Sequence, residues 1–490
     1  MQIARRIRSL RRWLLPAMLG WSVAPQAANW DIVPRLLLNE TYSDNVNLSR
    51  NNANEDFITQ LTPGLSIRGQ GGRVELNLDY NFQNLMYARD NNLNNTNQQL
   101  QANASAELYQ QVLFLDVSSQ ISQQLVSTQG VISDNNINAT GNRADVMSYQ
   151  VSPYVKHHFG GYADAEGRLT FNQVFNSATN TTGTVANNAA STSASTTSFN
   201  MTSGRYFNRI PWTFSYRSNT VSNDSTGGAD TKFRSIEANI SYVISRRYRL
   251  TSLIGNDDNT FSTSQRSTGG NRWEIGAIWT PSSRTRVVAR WGDRYFGRTF
   301  FLDASHTHRH FVFTAHYDEQ TQSLNDIQIN QQLIPLVDAF GQPVFDPNVS
   351  SNIALTTDRP GLQNDVIVNQ RLDINLAYSN RRNSANVGLY NSTRTGQASN
   401  SNEDITGLRA SFSRQLSEKL TATINADWTS SDFQNGQRTD NRYGFGAHLT
   451  RRLGRHMNGI IDYRYRQSDS DSTRNTYTEN RLSASLNLYY

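Results

Sequence analysis

The last ten residues of this 490-residue chain alternate strictly between apolar and polar side chains. Leu482, Ala484, Leu486, Leu488 and Tyr490 hold one parity, and Arg481, Ser483, Ser485 and Asn487 hold the other. A period of two puts the first set on one face of a β-strand and the second on the opposite face. The same rhythm recurs almost end to end. Val74, Leu76, Leu78, Tyr80 and Phe82 oppose Glu75, Asn77, Asp79 and Asn81, and Leu420, Ala422, Ile424, Ala426 and Trp428 oppose Thr421, Thr423, Asn425 and Asp427. Trp273 and Trp279 bracket Ile275 and Ala277 on one face, the spacing of two aromatic girdles about an apolar band. Strands of a soluble sandwich average about 5–6 residues. These runs are roughly twice as long, which is the length that crosses a bilayer on a tilt.

Composition fits that reading. The mean hydropathy is −0.61, and after the N-terminus no apolar run approaches the ~18 residues of a membrane helix. A barrel escapes that demand because only alternate residues meet lipid. The 21 Tyr and 21 Phe, set in regular alternation, argue against disorder. The expected fold is all-β: an antiparallel transmembrane β-barrel of the bacterial outer membrane with about 22 strands, in a range of 20–22.

Arg5, Arg6, Arg8, Arg11 and Arg12 precede a short apolar run and the small residues Ala27 and Ala28, the order of a secretory signal peptide. The expected organisation is a signal segment, 1–27, followed by a barrel, 28–490. Without the first 27 residues, 46 basic and 40 acidic side chains become 41 and 40. The positive charge is therefore largely a targeting feature, and no nucleic-acid partner is expected. The absence of cysteine excludes disulfides and a lipoprotein anchor.

Turn signals fix the topology. Short ones include Gln70-Gly71-Gly72, Gly160-Gly161, Arg246-Arg247, Arg381-Arg382 and Gly454-Arg455. They alternate with longer stretches rich in Asn, Ser, Thr and Asp, such as 45–56, 90–97, 128–143 and 178–197. Short periplasmic turns and long external loops are expected. This count gives 21 strands, whereas bacterial single-chain barrels have even numbers. The deficit points to 318–364, where 327–336 is expected either to cross or to fold into the lumen as a partial plug.

Arg284, Arg286, Arg290, Arg371, Arg409, Arg464 and Arg466 fall on expected inward faces, with Glu237, Glu274, Asp373, Asp427 and Asp462 among them. They could form a salt-bridge ladder that braces the wall. Alternatively they form an electrostatic lining, since guanidinium forks suit carboxylate and phosphate groups. His306, His308 and His310 share a parity, but they fall at an expected loop-to-strand entry and lack a carboxylate spaced to complete a metal site. No nucleophile elbow or phosphate-cradling glycine motif stands out. No enzyme activity, metal or cofactor is expected.

The terminal strand resembles the closing strand of outer-membrane barrels, whose final aromatic residue is read by the barrel insertion machinery. Outer-membrane lipid and that machinery are thus the expected partners. Near the N-terminus Trp30-Asp31-Ile32-Val33-Pro34 leads into Glu40-Thr41-Tyr42-Ser43-Asp44-Asn45. That opening strand resembles the outer-membrane proteins associated with the exosortase/PEP-CTERM system, and Glu40, Tyr42, Asp44 and Asn45 carry the likeness. The resemblance implies exopolysaccharide export or surface assembly, with periplasmic polysaccharide-export components as partners. Alternatives are a porin-like diffusion channel and a structural or adhesive barrel with a closed lumen. No globular stretch of ~100–150 residues precedes the first strand, which argues against TonB-dependent uptake.

Overall fold

The computed structural model describes residues 29–176, 191–223, 230–263, 268–323, 365–399, 401–434 and 436–490. The expected signal segment and the candidate crossing at 327–336 lie outside these residues. Twenty-two antiparallel strands form one closed sheet, each paired with its neighbours in sequence. They are β1 (Asn29–Ser43), β2 (Asp56–Gln70), β3 (Val74–Tyr87), β4 (Asn95–Tyr109), β5 (Leu113–Leu125), β6 (Arg143–His158), β7 (Ala163–Asn176) and β8 (Thr192–Ser203). The ring continues with β9 (Trp212–Asn223), β10 (Thr231–Val243), β11 (Tyr248–Thr260), β12 (Gly270–Ser282), β13 (Thr285–Arg294), β14 (Gly297–His308) and β15 (Phe311–Ser323). It is completed by β16 (Val366–Ser379), β17 (Asn383–Gly396), β18 (Asn402–Ser417), β19 (Leu420–Phe433), β20 (Arg438–Arg452), β21 (Met457–Ser470) and β22 (Tyr477–Tyr489). Closure runs from Arg35 opposite Tyr489 to Ser43 opposite Arg481. It leaves no open sheet edge in the bilayer, where an unpaired peptide group would find no water.

The strands are 10 residues long in β13 and 16 in β6 and β18, enough to span the hydrocarbon core when tilted. Their outer parity carries Ile236, Ile254, Ile275, Ile424 and Ile461, all exposed. On a soluble surface such a belt would drive aggregation; in a bilayer it is the lipid contact. Rings flank the belt at both ends. Trp273 and Trp291 meet edge to face at 5.3 Å near the loop end, and Tyr162 and Tyr206 at 5.0 Å at the turn end.

The missing strand is not where the sequence count sought it. β14 and β15 join through the two-residue turn Arg309-His310, and Asp318–Ser323 belong to β15 rather than to a loop. β15 pairs directly with β16, from Phe311 opposite Tyr378 to Ser323 opposite Val366, so the ring is complete within the described residues. Neither Arg309 nor His310 is a turn former; the sequence reading expected a loop-to-strand entry at these histidines, whereas a tight turn joins two strands there. Likewise, residues from Thr192 onward are strand β8, not part of a loop reaching 197.

Candidate functional site in the barrel lumen

The stretch expected as an external loop at 128–143 turns inward instead. Residues 126–142, between β5 and β6, fold into the loop end of the lumen. Ile58, Leu85 and Tyr87 point into the barrel from β2 and β3 and would be wetted there; Ile137, fully buried, covers them together with Val46. Polar contacts then pin the loop across the interior. Tyr87 donates to the Ile137 carbonyl, Tyr477 to the Ile132 carbonyl at 2.7 Å, and Asn475 to the Gln129 carbonyl at 2.8 Å. Asn138 donates to Glu479 at 2.8 Å, and that carboxylate also accepts from Ser43 at 2.7 Å. Asp134 pairs with Arg466 at 2.5 Å. The loop thus covers the arc from β21 through β22 and β1 to β3.

The opposite arc, β8 to β15, carries a ladder of charges. Arg272 reaches Glu237 at 2.9 Å and Glu274 at 2.7 Å, and Glu274 also holds Arg290 at 3.0 Å. The Arg290 guanidinium lies 4.0 Å above the Phe301 ring, a cation–π contact. Arg294 pairs with Asp257 at 3.0 Å, and Arg286 approaches Asp303 at 3.7 Å. Glycines allow the close approach of the neighbouring strand here. A Cβ at Gly276 would stand 2.1 Å from the Ala289 carbonyl oxygen and 2.7 Å from Arg290 Cγ. One at Gly292 would stand 1.9 Å from the Trp273 carbonyl oxygen and 2.8 Å from Glu274 Cγ. Two cavities of about 500 and 700 Å³ open along this wall.

The other expected lining residues sit on the remaining arc. Arg371 pairs with Asp373, and Arg409 lies 4.9 Å over the Tyr390 ring. Arg466 also meets Asp427, at 2.6 Å. Asp462, almost wholly buried, contacts His448 and lies 3.6 Å from Arg464. Arg284 differs: it stands exposed in the turn between β12 and β13. His306 and His308 share the outward face of β14 and His310 lies in the following turn, so the three do not converge. Among the described residues no three His, Asp or Glu side chains group as metal ligands.

The opening motif lies at the seam between the first and last strands. Glu40 faces outward and accepts from Thr59 at 2.8 Å. Tyr42 stacks obliquely on Phe57 at 5.0 Å and donates to Glu55 at 2.6 Å. Asp44 accepts from Asn480, and Asn45 donates to the Thr478 carbonyl at 2.8 Å. Leu482, Ala484, Leu486 and Leu488 face outward beside these residues, with Leu482 opposite Tyr42 and Ala484 opposite Glu40. Tyr490 follows β22, exposed at the turn end.

Sequence reading missed Arg272, Arg294, Asp257, Phe301 and Glu479. Parity could have found two of them: Arg272 is two residues from Glu274, and Arg294 is four from Arg290. The inward loop gave one usable signal, the apolar Ile58 and Leu85 on an otherwise polar inner face.

Residues 384–490, β17 through β22, match a family described as "Putative beta-barrel porin 2". No curated protein sequence matches the chain. Solved structures do match in fold. The FrpB iron transporter of Neisseria meningitidis (F5-1 variant) superposes with a TM-score of 0.51 at 11% identity, over 94% of this chain and 83% of that one. The ferric-catecholate import receptor Fiu of E. coli K12 gives 0.51 at 10% identity, over 93% and 81%. A mutant of the ferric enterobactin receptor PfeA of Pseudomonas aeruginosa gives 0.51 at 10%, over 94% and 80%. At these identities the likeness is one of fold alone. The chain is a closed 22-stranded β-barrel of the outer-membrane type.

Proposed function

We propose that this barrel is a passive outer-membrane conduit for small hydrophilic solutes, narrowed by its own inward loop. One observation carries the reading. The loop 126–142 is held against one arc of the lumen by Asp134, Asn138 and backbone carbonyls, while the arc from β8 to β15 is lined by water-facing charges and two cavities. A wide barrel narrowed on one side, with a charged wall on the other, suits selective diffusion. The iron-transporter titles of the fold neighbours describe those proteins and lend no ligand to this one. Exopolysaccharide export or assembly, which the opening strand's resemblance implies, would use the same lumen. However, the residues that carry that likeness sit at the seam and offer nothing to a polymer inside.

The test is single-channel recording in planar bilayers of the purified chain, beside a variant in which a short Gly-Ser link replaces residues 129–140. A conducting barrel whose conductance rises in the variant supports the conduit. A barrel that passes no current in either form sinks it. Retention of polymer in the periplasm of a deletion strain, with normal small-solute permeability, would favour export instead.

A further inference from the structure

The two cavities on the β8–β15 wall are successive stations of one path. The first opens toward the loop end, with Asn259, Tyr295 and Gln322 at its rim. The second opens toward the turn end, with Ser203, Trp212 and Arg249 in its lining. They share four residues, Glu237, Arg272, Arg290 and Phe301. With Glu274 these make the continuous chain Glu237–Arg272–Glu274–Arg290–Phe301 described above. A solute passing along this wall must cross that chain.

Charge differs on its two sides. The loop-end cavity balances its five arginines against Glu237, Asp257, Glu274, Asp318 and Glu319. The turn-end cavity holds Arg249, Arg272, Arg286 and Arg290 against only Glu237 and Asp303. Arg249 is exposed there and makes no ion pair among the described residues, and Arg286 keeps only a 3.7 Å approach to Asp303. Guanidinium groups without a tight carboxylate partner are available to one brought by a solute. Phe301 adds an apolar face beside Arg290, and each cavity has the volume of a small-ligand site.

We infer that Arg290 and Phe301, at the junction of the two cavities, form a selectivity step for sugar-sized solutes bearing a carboxylate. Arg249 and Arg286 draw the anion in from the turn-end side. The solute's carboxylate exchanges with Glu274 on Arg290 while its ring rests on Phe301. This inference rests on the conduit reading and names the solute class that it would favour.

The experiment measures block of channel current by glucuronate and by glucose, for the full barrel and for Arg290→Gln, Phe301→Ala and Lys156→Gln. Folding of each variant is verified by its faster migration on gels before boiling. Glucuronate should block at a concentration several-fold lower than glucose. That preference should be lost in R290Q and F301A and retained in K156Q, whose side chain stands on β6, outside the β8–β15 wall and lining neither cavity. Equal block by both sugars, or a preference that survives in R290Q and F301A, overturns the selectivity step but leaves the conduit standing. A barrel without current removes the conduit reading. The step is then judged by fluorescence of Trp212 in the turn-end cavity: a saturable response to glucuronate that R290Q abolishes supports it, and no response overturns it.

Discussion

Asp44 clasps Asn480 across the seam where the first strand meets the last, its two carboxylate oxygens accepting the Asn480 backbone N–H and side-chain amide, each at 2.8 Å. The pair spans almost the whole chain in sequence, so it forms only when the ring closes. Replacing Asp44 by Ala removes two charge-assisted hydrogen bonds at an exposed position, a loss of about 1 kcal/mol. The gel-shift unfolding temperature should fall measurably in D44A. In Glu40→Gln, which keeps the acceptor for Thr59, it should stay near the parent value.

That seam shows how far the sequence reaches. Period-two alternation was enough to read the fold class and the outward face, because every crossing obeys the same rule of lipid on one side and water on the other. It counted 21 strands, and only the even-number rule raised the total to the observed 22. It failed where the rule was locally silent. Arg309-His310 turns without a turn-forming residue, and the inward loop 126–142 has the Asn/Ser composition of an external one. Its destination depends on Ile137 meeting Ile58 and Leu85 from β2 and β3, a contact between distant segments that no local pattern records. Inner-wall charges were legible as a parity class. Their partners were not, since register between strands decides which arginine meets which carboxylate.

Glu55 tests the outer rim by pH. The Tyr42 hydroxyl and then Arg89 hold its carboxyl below the ordinary glutamate range. A lowered folded value means stability that is present above the unfolded value, about 4.3, and lost as pH falls through the folded one. The stability difference between the parent and Glu55→Gln should therefore be constant from neutral pH down to about 4.3 and shrink below it. A difference that disappears already near pH 6 would mean that these contacts do not form.

The inward loop should be releasable. Asp134→Asn with Glu479→Gln weakens the Arg466 pair and the Asn138 and Ser43 bonds, each worth about 1 kcal/mol net. Channels of the double variant should show larger and noisier currents than the parent, with the barrel still heat-modifiable. Unchanged current and noise would place the restriction elsewhere.

Glycine at the inner wall is a space requirement, not a hinge. A Cβ on Gly444 would sit 1.6 Å from Arg466 Nη1 and 2.5 Å from Asp427, in the middle of the ion pair that also anchors Asp134. Gly167 has nothing within 4 Å of the same construction. Gly444→Ala should cost about 1–3 kcal/mol through forced displacement, and Gly167→Ala should be close to neutral. Urea titrations of the two variants in parallel would check this, and equal effects would show that Arg466 swings aside freely.

The outward face offers the sharpest contrast with a soluble fold. Ile275 lies mid-strand in β12, exposed on the lipid parity between Trp273 and Trp279. Arginine at the bilayer midplane of a barrel costs about 2–4 kcal/mol, and near the interfaces about 0–1. Ile275→Arg should therefore lose most of its folded, heat-modifiable fraction in membranes. Tyr248→Arg, at the turn-end start of β11, should lose little. If both variants fold equally well in vesicles, the belt through Ile275 does not face lipid, and the assignment of inside and outside reverses for every residue discussed above.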